Sequence, residues 1–188
     1  MFSNLGDWFF TLKKRLVSDK NLLQVNFEDI QNILRNRPAG TGVHPPMLRD
    51  DDGCLDSLKL EPLLITTIPI TFMTGHGKRG EIPLIDGTLP PEKEEAYINE
   101  LLETMDAESM AQLLIIIYGC NAMDKSATEK ARQLISLGFS SVFVYPGGMF
   151  EWCLLQDIYG KKEFPIASGG VFLDPLLFKG KRLFVEEN

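Results

Sequence analysis

The chain has few of the residues that build disulfide frameworks and zinc sites. It contains only three cysteines, Cys54, Cys120 and Cys153, with no CxxC pair, and only two histidines among 188 residues. An odd and scattered set of cysteines makes a poor disulfide framework, and so few sulfur and imidazole ligands make a poor zinc site. We therefore predict no bound metal, no other cofactor, and a reducing, cytoplasmic environment.

Long apolar runs and an excess of positive charge are also absent. No stretch reaches the roughly 20 apolar residues that a membrane-spanning helix needs. The N-terminus lacks the order of a secretory signal, which is basic first and then apolar. The net charge of −7 argues against non-specific nucleic-acid binding as the main function. The sequence therefore predicts an intracellular protein with no transmembrane segment and no nucleic-acid partner.

Residues 113–165 carry the clearest pattern in the chain. The run at 113–118 is continuously apolar and rich in Ile, which is typical of a strand buried on both faces of a parallel sheet. Helical spacing of apolar residues follows, and Gly138 is placed as a C-cap. The pattern predicts strands over 113–118 and 141–145 and helices over 125–137 and 149–159. Two strands joined through a helix form a right-handed crossover of parallel strands.

The preceding half of the chain contains weaker signals of the same kind. A short strand is predicted at 22–25, and Asn26 is a suitable N-cap for a helix over 27–35. The β-rich stretch 63–70 predicts a central strand of the sheet, and a further helix begins at Pro90 and Pro91. Residues 38–62 contain four prolines and three glycines, so we interpret them as a loop insertion.

Cys120 occupies the point where a predicted strand leads into a predicted helix. Ligands of parallel α/β sheets bind beyond the carboxyl ends of the strands, next to the start of the following helix. The backbone N–H groups of residues 121–126 and the helix dipole would favour an anion there. We therefore expect the pKa of the Cys120 thiol to lie below the ordinary value of about 8.5, which favours the reactive thiolate.

These features together resemble the C-terminal half of a rhodanese-like domain, a member of the sulfurtransferase superfamily. The resemblance covers residues 111–165. It rests on the strand, Cys120, the loop ending in Lys125-Ser126, the helix ending in Leu137-Gly138-Phe139, the strand 142–145, and Gly147-Gly148 followed by Trp152. The resemblance implies an α/β fold with a mostly parallel central sheet and helices on both faces, extending over residues 22–165.

The resemblance also implies an activity, sulfur transfer with a persulfide carried on Cys120. The thiolate would take sulfur from a small donor such as thiosulfate or 3-mercaptopyruvate and pass it to an acceptor. Lys125 would attract the anionic donor, and Ser126 would cap the helix. The anion-binding loop implied by the resemblance consists of Asn121, Ala122, Met123, Asp124, Lys125 and Ser126.

A second hypothesis is a catalytically inactive rhodanese-fold protein that acts as a structural, assembly or interaction module. Met123 stands where a rhodanese loop usually has glycine, and Asp124 brings a negative charge into a loop meant for anions. Thr66 and Thr67 stand where an active rhodanese commonly has an Asp and an Arg. If Gly119 or Asn121 is the residue equivalent to the nucleophile, the domain has no nucleophile at all.

Two terminal extensions complete the predicted organisation. Residues 1–21 form an amphipathic N-terminal extension, in which Leu5, Trp8, Phe9, Leu12 and Leu16 lie on one stripe of a helix. Residues 166–188 form an apolar C-terminal extension. Each extension either packs on its own domain or binds a protein partner, through residues 1–18 and 166–188. A compact sulfurtransferase needs neither, so both favour the interaction hypothesis.

Overall fold

The computed structural model describes residues 22–35, 62–68, 84–167 and 175–180. The predicted extension at 1–21 lies outside the described residues. The predicted insertion at 38–62 also lies outside them, apart from residue 62. Of the C-terminal extension, residues 166–167 and 175–180 are described.

Strands and helices alternate along the described chain. The strands are β1 (Leu23–Gln24), β2 (Leu63–Thr66), β3 (Ile115–Tyr118) and β4 (Val142–Tyr145). The helices are α1 (Phe27–Arg35), α2 (Pro91–Thr104), α3 (Ala107–Gln112), α4 (Ser126–Leu137) and α5 (Gly148–Tyr159), and a 3-10 helix follows at Pro175–Phe178. The predicted elements from residue 113 to residue 159 are confirmed, with ends that shift by one or two residues.

The four strands form one parallel sheet in the order β1-β4-β3-β2. Ile115 pairs with Val142 on one side of β3 and with Leu63 on the other. Among the four strands β2 therefore lies last in the order, so the prediction that it is central is wrong for these strands; on its other side an isolated parallel bridge joins Leu64 to Thr88. It also ends at Thr66, four residues before the predicted limit. The α/β class and the parallel sheet are confirmed.

The core lies on both faces of the sheet because successive strand residues point to opposite sides. Ile115 and Ile117 face one side, together with apolar residues of α2 and α4. Ile116 and Tyr118 face the other side, where they meet residues of α1 and α5. All four side chains of β3 are fully buried, which explains the continuous apolar run in the sequence.

Capping residues fix the ends of several helices. The Asn26 side chain accepts a hydrogen bond from the N–H of Asp29 at 3.0 Å, and the Asp29 carboxylate accepts one from the N–H of Asn26 at 2.9 Å. This reciprocal arrangement confirms Asn26 as the cap of α1. Gly138 ends α4 with a φ of 115°, a left-handed conformation that glycine adopts without strain.

One helix was not predicted from the sequence. Asp106 starts α3 by accepting a hydrogen bond from the N–H of Ser109 at 2.7 Å. An aspartate at the N-cap position is a usable signal of a helix start, but α3 has only six residues and none of them is buried.

Among the described residues, no helix combines the length and the apolar character required to cross a membrane.

Candidate functional site

The candidate site is the loop of residues 119–125, between the carboxyl end of β3 and the start of α4. Because the strands are parallel, their carboxyl ends meet at one edge of the sheet. Thr67, which follows β2, and the turn at Gly147 and Gly148, which follows β4, therefore flank the loop. The structure brings Cys120 to this edge, at the position that the sequence predicts.

The carboxylate of Asp124 occupies the centre of this loop. Its Oδ2 atom accepts a hydrogen bond from the backbone N–H of Cys120 at 3.0 Å. Its Oδ1 atom accepts one from the backbone N–H of Ser126 at 2.9 Å. An external anion would be held by such N–H groups at the start of a helix. In this chain they are satisfied by a carboxylate of the loop itself.

Asn121 engages two more backbone N–H groups of the loop. Its side-chain oxygen accepts from the N–H of Met123 at 2.9 Å, and its main-chain oxygen accepts from the N–H of Asp124 at 3.0 Å. The N–H groups of Met123, Asp124 and Ser126 are thus paired within the loop. The expectation that the N–H groups of residues 121–126 converge on the thiol is wrong for these three.

The Cys120 thiol is half-buried, and its pKa is raised to about 11. Burial, which penalises the charged thiolate, is the larger cause, and the negative charge of Asp124 adds to it. The predicted lowering of the pKa is therefore wrong. The helix start that was expected to stabilise a thiolate is already neutralised by the Asp124 carboxylate.

The pKa of Asp124 itself is lowered. Burial alone would raise it, but hydrogen bonds from the Ser126 side chain and from the N–H groups of Cys120 and Ser126 outweigh that effect. These donors favour the ionised carboxylate. The negative charge beside Cys120 is therefore a stable feature of the loop at neutral pH.

The other predicted site residues lie at the surface of the loop. Ala122, Met123 and Lys125 are exposed, and Asn121 and Ser126 are half-buried. Lys125 adopts helical backbone angles just before α4 and makes no side-chain cap. In the described part of the chain, no group of three or more His, Cys, Asp or Glu side chains is placed to hold a metal ion.

Thr67 is a site residue that sequence reasoning noted only as a departure from the rhodanese pattern. Its hydroxyl lies 2.6 Å from the hydroxyl of Ser126, and its N–H donates to the main-chain oxygen of Tyr118 at 3.0 Å. A direct link therefore joins the end of β2 to the start of α4. The hydroxyl of Thr67, which can form a hydrogen bond, was the feature of the sequence that could have identified it as a site residue.

The start of α5 fixes the other side of the loop. The main-chain oxygens of Gly119 and Cys120 accept hydrogen bonds from the N–H groups of Met149 at 3.0 Å and Phe150 at 2.9 Å. Gly148 has a φ of 59°, and a Cβ atom there would overlap the main-chain oxygen of Gly119. The glycine at position 148 thus allows helix and loop to approach closely.

The C-terminal segment also contacts the loop. The side-chain amide of Asn121 donates a hydrogen bond to the main-chain oxygen of Phe178 at 2.6 Å. Phe178 itself is buried in the core on the α5 side of the sheet. The described residues 175–180 of the predicted extension therefore pack on their own domain. Residues 1–18 lie outside the described part, so their predicted partner contact stays a prediction.

Cys153 is a core residue. It is 4% exposed within α5, and burial raises the pKa of its thiol to about 12. Both Cys120 and Cys153 are free thiols. The interpretation of Cys153 as a small apolar core residue is confirmed.

Comparison with protein-family models gives no match for this chain, and comparison with curated proteins gives no significant match.

Proposed function

We propose that this chain is a rhodanese-like protein that does not transfer sulfur and acts as a protein-binding or assembly module. The observation that carries the proposal is the Asp124 carboxylate, which occupies the N–H groups of Cys120 and Ser126. The site keeps the cysteine of a sulfurtransferase, but an internal anion fills the place of the substrate.

Sulfur transfer requires a thiolate and room for an anionic donor. The Cys120 sulfur would attack the outer sulfur of thiosulfate, forming one S–S bond while the S–S bond of the donor breaks and sulfite leaves. Because the pKa of Cys120 is raised to about 11, the thiol form strongly predominates over the thiolate at pH 7. The donor, itself an anion, would also approach the negative charge of Asp124. Both effects oppose the reaction.

Exposed apolar side chains on α5 favour the binding role. Leu154 and Ile158, one helical turn apart, both point to solvent, and Ile158 is 69% exposed. Tyr159, the last residue of α5, is also exposed, and so is Leu176 of the 3-10 helix that packs on α5. Neighbouring apolar residues exposed on one helix face are typical of protein interaction sites. We propose this α5 face as the surface that meets a partner.

Sulfur transfer through Cys120 stays the second candidate function. It is favoured by the position of a half-buried thiol between a parallel strand and the start of the next helix, where such sites lie. It would require the Asp124 carboxylate to leave the N–H groups of Cys120 and Ser126.

The deciding experiment is incubation of the purified protein with thiosulfate, followed by intact-mass analysis. We expect no gain of about 32 Da, the mass of one sulfur atom, in the wild-type protein. Asp124→Gly, which removes the internal anion, tests whether the loop regains reactivity, and Cys120→Ser is the control. A cyanide-labile gain of that mass in the wild-type protein, lost in Cys120→Ser, would establish a sulfurtransferase and refute the proposal.

The binding role has a separate test. Ile158→Asp places a charge on the exposed α5 face, and Leu137→Asp places one on the exposed end of α4, which packs on the opposite face of the sheet. Affinity purification from the native source should recover a partner with the wild-type protein and with Leu137→Asp, but not with Ile158→Asp. Equal recovery with both variants would exclude the α5 face.

A further inference from the structure

Residues 175–180 form a short segment in which one side chain is fully buried. Phe178 is 1% exposed and lies in the same core cluster against which Cys120 packs, and Leu177 packs against that cluster as well. Leu176, two residues before Phe178 in the same 3-10 helix, is 57% exposed. A single helical turn with one fully buried ring opens at a lower free energy than the sheet beneath it.

The end of this segment lies on the loop that carries Cys120. Besides the bond from Asn121 to the main-chain oxygen of Phe178, Gly180 lies against Met123. A Cβ atom built on Gly180 would come within 2.7 Å of the Met123 sulfur. Residues 175–180 thus touch the loop at Asn121, directly after Cys120, and again at Met123.

Other elements hold the backbone of Cys120. Its N–H is bound by Asp124 and its main-chain oxygen by the N–H of Phe150. The 3-10 helix packs on α5, the helix to which Phe150 belongs. The Cys120 side chain packs against the core cluster that contains Phe178, so removal of residues 175–180 would uncover this cluster next to the thiol.

We propose that residues 175–180 are an intramolecular lid over the Cys120 loop, and that its opening exposes the thiol. The inference goes beyond the proposed function because it concerns access to the site, whether or not the site transfers sulfur. A partner that captures the lid would expose Cys120 and Asn121 together.

The test is the rate at which iodoacetamide alkylates Cys120, followed by peptide mass spectrometry at one fixed pH. The sulfur displaces iodide and the thiol proton goes to the buffer, so the rate reports the accessible thiolate. Phe178→Ala should raise the rate at Cys120 by about tenfold or more, because alkylation proceeds through the opened state. Leu137→Ala, a change at an exposed side chain of α4 on the opposite face of the sheet, should leave the rate unchanged.

Opening of the whole domain is measured separately, as the free energy of unfolding of each variant in urea. Labelling of Cys153 cannot serve for this purpose, because Cys153 lies in the same core cluster as Phe178. Acceleration at Cys120 beyond what the lost global stability accounts for supports the lid. An unchanged rate at Cys120 in folded Phe178→Ala overturns it, and so does an acceleration that matches the loss of global stability or that appears in both variants.

Phe178→Leu provides a second variant if Phe178→Ala fails to fold. A leucine fills part of the space of the ring and loosens the same buried contact. Labelling of Cys120 should accelerate in Phe178→Leu and stay at the wild-type rate in Leu137→Ala. Absence of acceleration in folded Phe178→Leu would overturn the lid, whatever the outcome with thiosulfate.

Discussion

The carboxylate of Asp124 accepts a hydrogen bond from the backbone N–H of Cys120 at 3.0 Å. A residue four positions further along the chain thus occupies the space in which an anion would bind beside the thiol. Ser126 completes the arrangement by donating its N–H to the same carboxylate. The loop therefore carries its own anion, and the reactivity of Cys120 depends on that anion.

Replacement of Asp124 should lower the pKa of Cys120. Asp124→Asn removes the negative charge that helps to raise the pKa, while the amide oxygen can still accept one N–H hydrogen bond. Because burial is the larger cause of the shift, the pKa should fall below about 11 but stay above the ordinary thiol value. The measurement is the pH dependence of Cys120 alkylation.

Asp106→Asn is the matched control for this prediction. Asp106 also accepts a backbone N–H hydrogen bond, from Ser109 at the start of α3. It is not among the groups that raise the pKa of Cys120. The pKa of Cys120 should be the same in Asp106→Asn and in the wild-type protein. A Cys120 profile in Asp124→Asn that overlays the wild-type profile would show that the carboxylate has no influence on the thiol.

The same carboxylate should make stability depend on pH in acid. The pKa of Asp124 is lowered in the folded state from an ordinary value near 3.8. A lowered folded pKa contributes stability that is fully present above the unfolded pKa and is lost as the pH falls through the folded pKa. Urea unfolding should therefore show Asp124→Asn less stable than the wild-type protein at pH 7, and the difference should shrink below about pH 4. If the difference in the free energy of unfolding between the two proteins stayed constant from pH 7 to pH 3, the lowered pKa of Asp124 would be contradicted.

Sequence patterns were sufficient for the sheet and its main helices because burial sets them. The continuous apolar run of β3 and the helical spacing of α4 follow from packing on both faces of a parallel sheet, and that packing leaves a visible periodicity. The predicted place of β2 in the sheet was wrong because the order of strands depends on contacts between distant segments of the chain. A strand of this composition can lie at the end of a sheet or in its middle, so composition does not decide the order.

The position of Cys120 was predicted, but its environment was not. The sequence shows an aspartate four residues after the cysteine, and it does not show that the carboxylate turns inward onto the N–H groups of Cys120 and Ser126. The contact of Phe178 with Asn121 joins residues 57 positions apart. Such long-range contacts have no local signal in the sequence.

Gly148 should be among the least replaceable residues of the loop region. Its φ of 59° is unfavourable for other residues, and an added Cβ would overlap the main-chain oxygen of Gly119. Gly148→Ala should lower the free energy of unfolding by about 2–5 kcal/mol, the sum of the left-handed backbone cost and the overlap. Urea denaturation gives the value.

Gly138→Ala separates the two contributions. Gly138 also has a positive φ, of 115°, but an added Cβ would make only an ordinary contact at 3.7 Å, with Met110. Its replacement should cost about 1–2 kcal/mol, the backbone contribution alone. Equal losses in the two variants would mean that the close approach of α5 to the loop does not contribute.

The hydroxyls of Thr67 and Ser126 should be energetically coupled, because they lie 2.6 Å apart and join β2 to α4. Thr67→Val and Ser126→Ala should each destabilise the protein, and the double variant should be about 1 kcal/mol more stable than the sum of the two losses predicts. Thr66→Val is the control, since the hydroxyls of Thr66 and Thr67 both donate to the main-chain oxygen of Tyr118 at 3.4 Å, and it is the Thr67 hydroxyl that also lies against Ser126. Thr66→Val and Ser126→Ala should therefore be additive in urea unfolding. If Thr66→Val and Thr67→Val showed equal coupling to Ser126→Ala, the coupling would reflect a general loosening of this edge of the sheet. The specific link between β2 and the start of α4 would then be refuted.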